Sequence, residues 1–180
     1  MRILSTLCLA LTIITVSADD WPNFRGPANN GISKESGWST SPKKAWETKV
    51  GTGASSVVVV GNRVLTMGNQ NDKDIVWCLD TTSGREVWKH EYSSKFDQRM
   101  FDGGTASTPT IDGDKVYTLS YLGELFCMNL KDGKVVWQKN VAKEFGGSTP
   151  RWKFACSPLI DGNMVIVDIG GKGNSTLALD

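Results

Sequence analysis

Cys78-Leu79-Asp80-Thr81-Thr82-Ser83-Gly84-Arg85-Glu86-Val87-Trp88 decides the fold, because it returns as Cys127-Met128-Asn129-Leu130-Lys131-Asp132-Gly133-Lys134-Val135-Val136-Trp137. The glycines and the tryptophans of the two runs coincide at a spacing of 49 residues. A third copy, Thr176-Leu177-Ala178-Leu179-Asp180, aligns with the stretch ending in Trp77-Cys78-Leu79-Asp80 and stops short of its Gly and Trp. A second landmark keeps the same register. Ser56 to Asn62, Thr108 to Asp114 and Ser157 to Asn163 each carry a Ser or Thr, an apolar stretch and a Gly, and those glycines stand 52 and 49 residues apart. The chain therefore repeats a unit of roughly 50 residues about three times.

Each unit reads as four short strands with turn chemistry between them. In the clearest copy Ser107 to Ile111 runs into Asp112-Gly113, and Lys115 to Tyr121 alternates up to Leu122-Gly123. Glu124 to Leu130 precedes Lys131-Asp132-Gly133, and Val135 to Val141 closes the unit. Gly supplies the positive φ of tight hairpins, and Asp and Asn tolerate it best among the others. Four strands in such a unit make a propeller blade or a meander. Trp46, Trp88 and Trp137, each near the start of an alternating segment, favour the blade: a large ring recurring once per unit can fill the wedge between radially placed sheets.

Outward from the repeats, Arg2, the mainly apolar run Ile3 to Val16 and the small residues Val16-Ser17-Ala18 read as a signal peptide over 1–18, cleaved after Ala18. The apolar run is shorter than the ~20 residues that span a bilayer, and no second run follows, so no membrane span is expected. Cys8 lies inside the run rather than after the cleavage site, which argues against a lipid anchor. Without Arg2 the chain has 19 basic and 19 acidic residues, and no basic cluster exceeds Lys43-Lys44, so nucleic acid is not an expected partner. Three cysteines then remain, Cys78, Cys127 and Cys156. The first two hold equivalent places in successive repeats, which suits buried thiols better than a bridge.

The runs ending in Trp88 and Trp137 resemble the tryptophan-docking motif of pyrroloquinoline-quinone (PQQ) type propellers, Ala-x-Asp-x-x-Thr-Gly-Lys-x-x-Trp. The first keeps Asp80, Gly84 and Trp88. The second keeps Gly133, Lys134 and Trp137 and departs at Asn129 and Asp132. Asp20 to Pro27, within a lead-in segment over 19–45, is similar to the start of many exported members. The resemblance implies an all-β fold of four-stranded antiparallel blades over 46–180, belonging to a propeller typically of eight blades, of which about three lie here. It also implies an exported, periplasmic or secreted protein, and a structural role for the six motif residues.

PQQ-dependent dehydrogenases add calcium bound by carboxylates, an Asp base and often an adjacent cysteine pair. This sequence has no adjacent cysteines, and nothing in the spacing of Asp97, Asp102 or Glu144 singles them out as ligands. His90 is the only histidine, which excludes a multi-His metal site. Gly170-Gly171-Lys172-Gly173 reads as a turn, and Asn174-Ser175-Thr176 matches a glycosylation acceptor only as a short pattern. No catalytic or metal residue is assigned.

The two long connections, Ser93 to Thr105 and Lys143 to Lys153, are the functional candidates. Each leads into an innermost strand, so both are expected on one face around the central channel. Phe96, Arg99, Phe101, Arg151 and Trp152 there suit a protein or a polysaccharide-like polymer. The resulting expectation is a non-catalytic binding or scaffold module, similar to the propeller subunit of the outer-membrane protein assembly machinery but without its lipid anchor. Two other readings are the N-terminal part of a PQQ-dependent dehydrogenase, with PQQ and calcium as cofactors, and the propeller platform of a polymer-active enzyme.

Overall fold

Three antiparallel sheets follow one another along the chain, in a computed structural model that describes residues 18–97, 99 and 103–180. The first contains β1 (Val58–Val60), β2 (Arg63–Gln70), β3 (Lys73–Asp80) and β4 (Glu86–Ser93) in that order. The second contains β5 (Thr110–Asp112), β6 (Lys115–Leu119), β7 (Glu124–Asn129) and β8 (Val135–Asn140). The third has β9 (Leu159–Asp161), β10 (Met164–Asp168) and β11 (Thr176–Leu179), ordered β11-β10-β9. The signal-peptide stretch up to Ser17 lies outside the described residues.

The repeat landmarks are the turns. Gly61, Gly113 and Gly162 open two-residue hairpins between the first and second strands of each sheet, with φ of 54°, 55° and 61°. The Asp80 to Arg85 turn and its copy share one bonding pattern. Gly84 N donates to Asp80 O (2.8 Å) and Asp80 N to Arg85 O (2.9 Å), while Gly133 N donates to Asn129 O (2.9 Å) and Asn129 N to Lys134 O (2.9 Å). The ladder also slips at the same point in both sheets, between Cys78 and Leu79 and between Cys127 and Met128, which sets Cys78 opposite Trp88 and Cys127 opposite Trp137. Cys78, Cys127 and Cys156 are free thiols. Cys78 and Cys127 are buried, and burial pushes Cys78 up to about 12.

Strand β3 shows why the sheets stack. Val76 and Cys78 face the core shared with the second sheet, where Ile111, Val116, Phe126 and Met128 meet them. Ile75, Trp77 and Leu79 face a core on the opposite side with Trp46 and Val50. A strand buried on both faces reads as an unbroken apolar run rather than as alternation. Leu119, Leu125, Val165, Val167 and Ile169 build the equivalent core between the second and third sheets.

Trp46 Nε1 donates to Thr81 O and Trp88 Nε1 to Leu130 O, both at 2.8 Å. Each ring lies against the motif glycine one repeat later: a Cβ on Gly84 would sit 2.4 Å from Trp46 Cε3, and one on Gly133 would sit 2.5 Å from Trp88 Cε3. Trp137 differs from the expectation that all three rings fill wedges alike. It is half-buried beside Tyr117, and no described glycine packs against its ring.

The first strands lie side by side, β1 against β5 and β5 against β9. Ser56 N donates to Thr108 Oγ1 (3.1 Å) and Thr108 N to Ser157 Oγ (3.0 Å), linking equivalent positions of all three repeats. This explains why β5 starts at Thr110 and not at Ser107: Thr108 bonds sideways to the next repeat, and Pro109 has no N–H for a ladder. Trp21 pairs with Val59, and Ile111 N donates to Pro22 O (2.8 Å), so the lead-in segment crosses the first two sheets.

One short helix, α1 (Val141–Phe145), follows β8. Asn140 Oδ1 accepts from Lys143 N (2.9 Å), Glu144 Oε1 accepts from Asn140 N (2.7 Å), and Gly146 closes it at φ 68°. These are ordinary capping signals on a segment too short to show helical periodicity. Among the described residues no helix is long and apolar enough to cross a membrane.

Candidate functional site

The connection after β4 is fastened at its root. The hairpin turn Asn71-Asp72 holds both residues at positive φ, 53° and 59°. From it Asp72 accepts from Ser94 N through its carbonyl (2.9 Å) and from Phe96 N through Oδ1 (2.8 Å). Asn69 Nδ2 donates to Ser94 O (2.9 Å), and the Tyr121 hydroxyl donates to Lys95 O. Further on, Gly103 packs under the Phe96 ring, and Ala54 N donates to Thr105 O (2.7 Å), which steers the chain beside the segment preceding β1. The connection after α1 arrives from the other side. Lys153 N donates to Pro150 O (2.9 Å) and Phe154 N to Tyr121 O (3.2 Å).

Between them lie two adjoining hollows of about 410 and 130 Å³ that share Asp97, Tyr121 and Lys153. Lys95, Phe96, Arg99 and Leu122 line the larger, and Gly104, Thr105, Ala54 and Trp152 the smaller. The structure thus brings Phe96, Arg99 and Trp152 to one groove. Arg151 stands next to it, its guanidinium 5.2 Å from the Trp152 ring centre. Phe101 and Asp102 lie outside the described residues. Lys95 and Lys153 join the groove as members of the two long connections, and Tyr121 joins it without a sequence signal of its own. The motif residues Asp80, Gly84, Trp88, Gly133, Lys134 and Trp137 are not among its lining residues.

Arg99 grips Asp97 with two bonds, Nε to Oδ1 and Nη2 to Oδ2, each 2.9 Å, and holds its carboxyl down to about 2. The other carboxylate weighed from sequence, Glu144, is bonded to Asn140 N and Lys139. Among the described residues no three His, Cys, Asp or Glu side chains converge as ligands. His90 packs edge-on against Phe126 at 5.0 Å, and burial lowers its pKa. A larger cleft of about 490 Å³ lies under the lead-in segment, but Arg25 and Asp112 are its only charged walls.

Behind the groove, Asp74 is 0% exposed. Its Oδ1 accepts from Asn69 Nδ2 (2.8 Å), its Oδ2 has no donor, and Ser94 lies beside it. Burial raises its pKa, against the opposing effect of the Asn69 hydrogen bond and the nearby Ser94 hydroxyl. The folded state then holds a proton that the unfolded chain releases at the ordinary carboxylate value. Stability from this group is full below that value and is lost as pH rises through the raised one. Asp74→Asn is expected to remove that loss, so that thermal melts from about pH 4 to 8 show the variant gaining on the parent as pH rises. A constant gap across the range would contradict the assignment.

Residues 72–180 match the family described as outer membrane protein assembly factor BamB. Among curated relatives, BamB of Yersinia pestis is 29% identical over 113 residues and BamB of Escherichia coli K12 is 27% identical over 121. Each alignment covers 58% of this chain, which spans only 28% of either relative's length. Among solved structures, the quinohemoprotein alcohol dehydrogenase of Comamonas testosteroni superimposes with a TM-score of 0.60 at 21% identity, covering 84% of this chain and 23% of that one. A europium-containing methanol dehydrogenase gives 0.52 at 17% identity, covering 72% and 23%. At such identities these two likenesses concern the fold alone. Four-stranded sheets stacked in series, a turn motif recurring in register and a match across more than half its residues place this chain in the PQQ-like β-propeller repeat family typified by BamB.

Proposed function

We propose that the chain is a non-catalytic binding module of an exported propeller protein, with residues 1–18 as its signal peptide, 19–45 as lead-in and 46–180 as blades. Its partner is a protein that docks across the groove between the two long connections. The observation that carries this reading is the exposed Trp152, at 55%, with Arg151 stacked on it beside Phe96 and Tyr121. Exposed Trp and Arg at a concave site are the residue types that dominate protein interfaces. The relatives are named as protein assembly factors, which favours a protein over a polysaccharide.

Two measurements test this. A photocrosslinking side chain in place of Trp152 is expected to yield a protein adduct in the producing cell, and one placed at Lys34 is not. Titration of the purified protein with PQQ and calcium is expected to give no stoichiometric complex. Tight one-to-one uptake of the quinone would overturn the non-catalytic reading.

A further inference from the structure

The groove is chemically lopsided. The chain without its first eighteen residues has equal numbers of acidic and basic side chains, yet among the described lining residues the one carboxylate, Asp97, has both oxygens bonded to Arg99. Lys95, Arg151 and Lys153 have no ion pair among the described residues. Of the other described carboxylates at the loop root, Asp72 accepts from Phe96 N and Asp74 is fully buried behind the groove. Lys153 is also held at φ 66°, a backbone state that side chains other than Gly, Asn and Asp rarely adopt. Such a state persists only where surrounding structure enforces it, and it recurs at binding sites. Here the bond from Lys153 N to Pro150 O and the adjacent Phe154 N to Tyr121 O link set it, and Lys153 lines both hollows.

We propose that the groove takes an extended acidic segment of the partner protein, its carboxylates meeting Lys95, Arg151 and Lys153 and an apolar side chain entering beside Tyr121 and Trp152. This rests on the groove being the protein-binding site proposed above. Concavity favours a peptide over a lipid surface: Tyr121 is 5% exposed and Lys153 half-buried, within reach of a side chain but not of a bilayer plane. Rim charges of this kind set the association rate and salt dependence of a complex more than its total affinity.

The test uses the whole chain and three labelled peptides that alternate Phe with Glu, Gln or Lys, together with phosphatidylglycerol vesicles. The Glu peptide is expected to bind at least about tenfold more tightly than the Gln peptide, and to weaken about tenfold between roughly 50 and 300 mM salt. Lys95→Gln/Arg151→Gln should abolish that preference, while Lys34→Gln/Lys43→Gln, outside the groove, should leave it intact. Equal binding of the Glu and Gln peptides, lost on Trp152→Ala, would sink the acidic-segment inference and leave the protein-binding reading standing. Groove-dependent binding of vesicles without any peptide would sink both, as would an absence of binding by every probe.

Discussion

Trp88→Ala lowers the unfolding free energy by about 3–5 kcal/mol in chemical denaturation, the range for truncating a large aromatic in a core, whereas Trp137→Ala costs about 1 kcal/mol, the scale of a typical point substitution. The two residues hold the same place in successive repeats and face a cysteine across the ladder alike. What separates them is the neighbour on the far side. Trp88 is 7% exposed, hydrogen-bonded to Leu130 O and pressed on Gly133. Trp137 has only its own sheet and the third-sheet core beside it. Equal losses would mean that burial against the next repeat's turn contributes nothing.

Gly133→Ala costs a similar amount from the other side of the same contact, about 2–5 kcal/mol. The glycine sits at φ 69°, where a Cβ adds about 1–2 kcal/mol. That Cβ would meet the Trp88 ring at 2.5 Å, inside van der Waals contact, and overpacking of this kind adds about 1–3 kcal/mol. Gly113→Ala separates the two contributions. Its φ of 55° is comparable, but nothing lies within 4 Å of the added atom, so only the backbone part, about 1–2 kcal/mol, is expected. Equal losses at the two glycines would leave no room for the ring contact.

These contacts also mark how far the sequence could be read. Repeat length, hairpin turns, strand count and the family resemblance are local patterns, and each survives in the structure because turn chemistry acts over four or five residues. The burial of Trp88 is not local, since it depends on Gly133 one repeat further on. The two-faced burial of β3 is visible as the run Ile75 to Leu79 only once its neighbours are placed. Helix α1 escaped because its capping residues enclose a single turn.

The groove was half legible. Its two connections stood out by length and by Arg and aromatic content, and Phe96 and Arg99 line one hollow while Trp152 lines the adjoining one. Tyr121 and Lys153 read as a strand end and a loop lysine, because their contact spans two connections from different repeats. Nothing in the sequence singles out Asp74. Its burial follows from the docking of Ser94 and Asn69 over it, which no local pattern encodes.

The central claim is that Trp46 and Trp88 each act through the motif glycine of the following repeat, and a double-mutant cycle at Trp88 measures this directly. Unfolding free energies of the parent, Trp88→Ala, Gly133→Ala and the double variant should show a coupling of about 1–3 kcal/mol, as for residues in direct contact. With the ring removed, the added methyl costs only its backbone strain. Losses that add within about 0.3 kcal/mol would show the two sites to be independent and would contradict the packing on which the account of the fold rests.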